Sequence, residues 1–398
     1  MRVPGFSAAA VEAGIKYSNR LDLGMIVSGL PAVTAGVFTR NLVKAAPVLD
    51  AMELFRQGHL FRAIVVNSGN ANACTGDRGS RDCKTIREET ARMLGCAPGE
   101  VLVSSTGVIG AFLPMERYLA GLEKMASSLS EDGLLDVANA ILTTDTRPKT
   151  ASRTVSVGGN EIRLSGMAKG AGMIAPSMGP PQATMLSFVC CDAAVQPGFW
   201  QETLEQAVDA SFNRITVDGD MSTNDTVIAM ASGRAGNPVE DGRGELADAL
   251  RQAMNSLLSE LAREIVRDGE GATKCVTVRI KGARNQLDAE LAARAIANSS
   301  LVKTAFFGQD PNWGRILAAA GRSGAVFDPD SSAIYIDNWR IVENGRPLGP
   351  EAEAQAALSM KNEEFTVTVD LSAGQAGFQI LTCDLTDEYV HINADYRT

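Results

Sequence analysis

A layered α/β architecture is what this sequence predicts, on three observations. Short apolar runs readable as strands alternate with amphipathic, helix-like stretches along the whole chain. The alternation continues on both sides of a loop containing Pro176, Gly179, Pro180 and Pro181, so one kind of architecture spans that loop. At 398 residues, 45% hydrophobic and 21% charged, the chain has the size of two domains or one two-lobed unit and the composition of an ordinary globular protein.

Taken in order, Ala63–Val66 and Val101–Ser104 read as strands ending in polar, glycine-bearing turns. Ser80–Leu94 reads as a helix with Ile86, Ala91 and Leu94 on one side and Gly95 as its stop. Met115–Leu129 and Leu134–Leu142 read as two more helices, and Thr150–Val157 with Glu161–Leu164 as a hairpin hinged at Gly158-Gly159-Asn160. Strand Met185–Cys191, helix Trp200–Ser211 and strand Thr226–Ala231 follow. The longest helix, Glu245–Val266, keeps Leu246, Leu250, Met254, Leu257, Leu261 and Ile265 on one stripe, which is core packing. The last third alternates strands (Lys274–Ile280, Ala333–Ile336, Phe365–Asp370, Gly377–Asp384) with helices (Ala289–Asn298, Gly314–Gly321, Glu351–Leu358).

Composition removes several classes of function. A formal charge of -10 without a basic tract argues against non-specific nucleic-acid binding. No apolar stretch approaches the ~20 residues of a membrane helix, and charges and glycines interrupt the N-terminus before any signal core, so a cytoplasmic location is the expectation. Seven cysteines without a C-x-x-C pair suggest reduced thiols rather than a disulfide framework or a zinc site. Only His59, in a turn between a helix and a strand, and His391 are present. A Ser-His-Asp triad or multi-histidine metal site would depend on these two, and their spacing supports neither; no metal and no cofactor are expected.

Residues 168–188 (AKGAGMIAPSMGPPQATMLSF) carry the sharpest chemical signal. A threonine hydroxyl is a weak nucleophile until the peptide bond before it is cut and the freed α-amine can take its proton. That amine titrates near pH ~8 and needs little tuning. The Pro/Gly loop before Thr184 is suited to straining the Ala183–Thr184 bond, and the apolar run after it to holding a new N-terminus still. Taken alone, an Ala-Thr pair is also an ordinary strand start.

VVNSGNANACTG (65–76), SSTGVIG (104–110), TTDTRPK (143–149) and the 168–188 stretch occur in one order with FNRITVDGDMSTNDT (212–226), DGEGATK (268–274), DPNWGRI (310–316) and INADYRT (392–398). In that order, and over nearly the whole chain, they resemble the bifunctional ornithine acetyltransferase / glutamate N-acetyltransferase family of arginine biosynthesis. The resemblance implies sheets sandwiched between helices (ornithine acetyltransferase/DmpA-like) in two lobes, self-cleaved at Ala183–Thr184. The products would be an α chain, 1–183, carrying the oxyanion hole, and a β chain, 184–398, with Thr184 as nucleophile and a smaller C-terminal α/β lobe from about 280. The implied reaction is ping-pong acetyl transfer from N-acetylornithine to glutamate. Acetyl-CoA is a possible co-substrate, and the implied assembly is a heterotetramer of two α and two β chains. Two departures stand out: Ala175 replaces the family's frequent His before Pro176, and Gly179–Gln182 reads as a four-residue insertion that lengthens the cleavage loop.

By the same resemblance, Thr106 and Gly107 form the oxyanion hole, although Ser-Thr-Gly is also a common strand-to-helix turn. Lys169 lines the site, where its charge would hold a substrate carboxylate; as bare sequence it is a lysine in a glycine-rich turn. Thr146 is a substrate contact, while Thr143 and Thr144 fit caps better. Glu270 meets the amine end of an ornithine-like substrate, and Asn393 and Thr398 map to the same pocket. Two alternatives stay open: a self-processing aminopeptidase or amidohydrolase on the same scaffold, and an unprocessed, non-catalytic binding protein.

Overall fold

Residues 1–175 and 185–395 are described by a computed structural model. They fall into two units, Met1–Asn213 with Met221–Ile265, and Arg214–Asp220 with Val266–Thr398.

In the first unit the strands are β1 (Phe6–Val11), β2 (Leu23–Phe38), β3 (Leu60–Asn67), β4 (Val101–Ser105), β5 (Lys149–Val157), β6 (Asn160–Lys169), β7 (Leu186–Cys191) and β8 (Thr226–Ala231). The helices are α1 (Ala46–Gln57), α2 (Gly76–Leu94), α3 (Met115–Ala126), α4 (Leu134–Ala140), α5 (Pro197–Ala210) and α6 (Glu245–Arg267). The strands make one mixed sheet in the order β4-β3-β2-β8-β7-β6-β5, with β1 added to β2. Strand periodicity sends neighbouring residues to opposite faces. Ile26, Ile64 and Leu102 join Val48 and Leu54 of α1 and Val137 of α4 on one side. Met25, Val65 and Val103 join Ile86 of α2 and Tyr118 and Leu122 of α3 on the other. The sheet is therefore covered by helices on both faces, as predicted.

β7 is the strand that positions the site. All six of its residues are buried. It lies between β6, its antiparallel neighbour, and β8, its parallel one, with Leu186 opposite both Lys169 and Thr226. The described chain after residue 184 thus enters the sheet at once, beside the end of β6.

The second unit has its own six-stranded sheet, built from β9 (Cys275–Ala283), β10 (Ala333–Ile336), β11 (Trp339–Glu343), β12 (Arg346–Pro347), β13 (Glu364–Asp370) and β14 (Ala376–Cys383). Their order is β12-β11-β10-β13-β9-β14. Its helices are α7 (Gln286–Ala297), α8 (Ser300–Phe307), α9 (Trp313–Gly321), α10 (Pro350–Ser359) and α11 (Asp387–Ala394). Val278, Ile280, Val367 and Val369 of the sheet pack with Ala293 and Ile296 of α7 into a separate core.

Several element boundaries differ from the sequence reading. α3 stops at Ala126, where Ser127 and Ser128 hydroxyls donate to the Lys124 carbonyl at 2.8 and 3.0 Å and compete with the helical ladder. The second hairpin strand runs on to Lys169, so Lys169 ends a strand rather than sitting in a glycine-rich turn. β1, β2 and α1 have no counterpart in the sequence reading. No helix among the described residues is long and apolar enough to cross a membrane.

Candidate active site

Thr106 follows directly on β4, and the turn it opens is built backbone against backbone. Gly107 has φ +131°, and a Cβ there would fall 2.3 Å from the Gly69 carbonyl carbon and 2.5 Å from the Asn70 nitrogen, so only glycine fits. The Thr106 N–H donates to the Asn67 carbonyl at 3.0 Å. Two buried asparagines tie the surrounding loops together. Asn67 accepts the Ser105 hydroxyl at 2.7 Å and donates to the Asn70 carbonyl at 2.8 Å. Asn224 donates to the carbonyls of Ala71 at 2.6 Å and Ser105 at 2.8 Å. The motifs 65–76, 104–110 and 212–226 are therefore one polar framework, with Thr106 at its edge.

Lys169 comes to that edge from β6. It is buried, and its Nζ donates to the Thr143 hydroxyl at 2.9 Å and the Thr106 hydroxyl at 3.4 Å. Behind it stands Asp145, whose side chain is 0% exposed. Its Oδ1 accepts from Lys149 Nζ at 2.6 Å and the Gly170 N–H at 2.7 Å; its Oδ2 accepts from the Thr143 N–H at 3.0 Å and lies 3.8 Å from Lys169 Nζ. Burial by itself would raise this carboxyl, but the Lys169 and Lys149 ammoniums outweigh it and hold Asp145 well below the usual carboxylate range. The sequence reading missed Asp145, Lys149, Asn67 and Asn224, and it set Thr143 aside as a cap. Thr146 lies on the exposed turn next to Asp145.

In the second unit Glu270 is buried and accepts a hydrogen bond from Asn393 Nδ2, on α11, at 2.7 Å. The turn carrying Glu270 presses against the start of α11. Gly271 has φ +69°, and a Cβ there would meet Thr386 Oγ1 and the Tyr389 nitrogen, each at 2.7 Å. Asp384 fixes the far side of the turn by accepting the N–H groups of Thr273 and Lys274 at 2.8 and 2.9 Å. Tyr389 donates to Asp218 at 3.3 Å; burial, then the carboxylates of Asp218 and Glu270, push its phenol upward.

Of the sequence-predicted residues, Thr106, Gly107 and Lys169 are brought together in the first unit, and Glu270 and Asn393 in the second. Ala183, Thr184, Thr398 and the Gly179–Gln182 insertion lie outside the described residues. No cluster of three or more metal-ligating side chains occurs among the described residues.

Residues 7–398 match the ArgJ family. The arginine biosynthesis bifunctional protein ArgJ of Geobacter sulfurreducens is 53% identical over 398 residues, the whole of both chains. That of Nitratidesulfovibrio vulgaris is 46% identical over 394 residues, covering 99% of this chain and 98% of its own. A crystal structure of the Bacillus halodurans protein is 40% identical, with a TM-score of 0.51, and matches 53% of this chain and 99% of that one.

Proposed function

The chain belongs to the ArgJ family and is an acetyltransferase of arginine biosynthesis, and we propose that it works as a self-processing enzyme that moves acetyl from N-acetylornithine to glutamate through Thr184. Cleavage of the Ala183–Thr184 bond gives an α chain, 1–183, and a β chain, 184–398, whose new α-amine takes the proton from the Thr184 hydroxyl. The hydroxyl oxygen attacks the acetyl carbonyl, and the oxyanion of the tetrahedral intermediate is held by Thr106 and Gly107. The C–N bond breaks, the α-amine's proton goes to the leaving nitrogen, and ornithine departs. Glutamate's amine then attacks the acetyl ester and leaves as N-acetylglutamate, restoring the threonine. Lys169 holds a substrate carboxylate, Thr146 contacts the substrate, and Glu270, with Asn393 and Thr398 beside it, receives the side-chain ammonium of ornithine. The reaction calls for no cofactor, and acetyl-CoA is the candidate second acetyl donor to glutamate. The processed chains form a cytoplasmic heterotetramer.

The observation that carries this reading is a register. Leu186, two residues beyond Thr184, pairs with Lys169, whose ammonium donates to the Thr106 hydroxyl at 3.4 Å. Leu186 thus lies opposite the residue at the end of β6 whose ammonium reaches Thr106, the proposed oxyanion donor after β4, and this supports the reading. The Bacillus halodurans chain supports a cut near the middle, since nearly all of it matches only 53% of this one. The test is intact mass: wild-type protein should run as the two fragments and gain one acetyl group on the 184–398 chain when given N-acetylornithine without acceptor. Thr184→Ala should stay a single, inactive chain. A full-length wild-type chain that persists on incubation, or intersecting double-reciprocal plots, would reject the mechanism.

A further inference from the structure

The Asp145 carboxylate is buried against groups of its own chain: the Lys149 ammonium and the N–H groups of Thr143 and Gly170 donate to it, and the Lys169 ammonium pairs with it at 3.8 Å. Three of those groups belong to parts of the site. Lys169 bears on Thr106; Thr143 is the other hydroxyl that receives Lys169; Gly170 is the first residue beyond β6. The fourth, Lys149, begins β5 and is itself buried. Two ammoniums share this one buried carboxylate. Mutual repulsion would drive Lys169 and Lys149 apart without the carboxylate between them. The other charged groups of this corner, Arg147 and Glu264 of α6, pair with each other at 2.8 Å.

We propose that Asp145 is a positioning residue for acyl transfer: it seats the Lys169 ammonium against Thr106 and, through the Gly170 N–H, fixes the point at which the chain leaves β6. The inference rests on the reading of function above. Asp145 touches neither substrate nor acyl carbon, and it acts on both of its targets through the same carboxylate. Lys149 is the counterweight; it shares the carboxylate and so limits how strongly Lys169 is held.

Asp145→Asn and Lys149→Met separate positioning from simple stability. The first readout is the rate at which an amine-acylating reagent labels Lys169 at fixed pH, followed by peptide mass spectrometry; it needs no turnover. Without the carboxylate the ammonium is less favoured, so Asp145→Asn should label Lys169 several-fold faster. Lys149→Met, which leaves the carboxylate to Lys169 alone, should label it more slowly, and the double variant should return toward wild type. The second readout is kcat, expected to fall on the order of 10–100-fold in Asp145→Asn, the scale of a small misplacement at a reacting centre. Lys169 labelling and kcat within twofold of wild type in Asp145→Asn would overturn the proposal. So would failure of both single variants to fold, which would make Asp145 a stability residue. Wild-type enzyme unable to move acetyl would reject the functional reading, and the labelling comparison would still decide the role of Asp145.

Discussion

Asp145 in the first unit and Glu270 in the second are both buried carboxylates, and their surroundings differ in kind. Asp145 accepts from Lys149 and two backbone amides and pairs with Lys169 at 3.8 Å. Glu270 takes one hydrogen bond among the described residues, from the Asn393 amide, and no ion pair. A buried carboxylate is costly unless paired. Asp145 meets that condition within the chain and so serves to hold other groups in place. Glu270 has no cationic partner among the described residues, which is compatible with its proposed role in receiving a substrate ammonium.

The largest expected effect separates the two by stability. Asp145→Ala removes one partner from two buried ammoniums and should lower the unfolding free energy by about 3–5 kcal/mol in urea titrations at neutral pH. Glu270→Ala breaks no ion pair among the described residues and should cost about 1 kcal/mol or less; an equal loss in both variants would break the comparison. The Asp145 effect should depend on pH in a definite sense. Its carboxyl is held below the ordinary range, so its stabilisation is complete above the unfolded value of about 3.9 and is lost as pH falls toward the depressed folded value. The stability gap between wild type and Asp145→Asn should therefore be constant above about pH 5 and narrow in acid. A gap unchanged at low pH would show that the lysines do not govern Asp145.

Second in size is recognition. Glu270→Gln removes a charge-assisted contact worth about 1.5–3 kcal/mol, so KM for N-acetylornithine should rise roughly 10- to 150-fold. If that contact is equal in ground and transition states, kcat changes little. Transfer from N-acetylnorvaline, which lacks the side-chain amine, should be nearly unaffected, and self-cleavage should survive. Equal losses with both donors would move Glu270 into the class of Asp145.

The same contrast runs through what the sequence makes legible. Strand Thr226–Ala231 is read to the residue, because a short apolar run between turn signals has one sensible assignment. β2 is not, since Gly29, Leu30 and Pro31 interrupt it and its register shifts between Val27 and Ala32. Its flanks are buried on both faces, which removes the alternation that marks a strand. Among the candidate residues, Thr106, Gly107 and Lys169 of the first unit and Glu270 and Asn393 of the second are legible only through motif resemblance. Asp145 lies in one of the quoted motifs and still escapes. Its partner Lys149 is four residues on, but along a turn and a strand start rather than a helix, and Lys169 is reached only by pairing of β5 with β6. Thr143 looks like a cap, yet its hydroxyl receives Lys169 while its N–H serves Asp145. Local pattern identifies elements; a charge network that closes through the sheet has no local pattern.

The smallest effect tests the contact between Asn393 and Glu270. Asn393 is exposed, and its amide holds one carboxylate oxygen of Glu270 at 2.7 Å while also donating to the Tyr389 carbonyl at 3.0 Å. Asn393→Ala should leave the charge of Glu270 in place and loosen only its aim. A single hydrogen bond of about 0.5–1.5 kcal/mol corresponds to a rise of roughly 2- to 12-fold in KM for N-acetylornithine. The change should again be absent with N-acetylnorvaline, and kcat should hold. In a Glu270→Ala background the Asn393 substitution should have no further effect on KM, because the group it orients is gone; a double-mutant cycle measures that coupling directly. Additive effects in the cycle would mean that Asn393 reaches the substrate independently, and that the ligand's charge is read by more than one group.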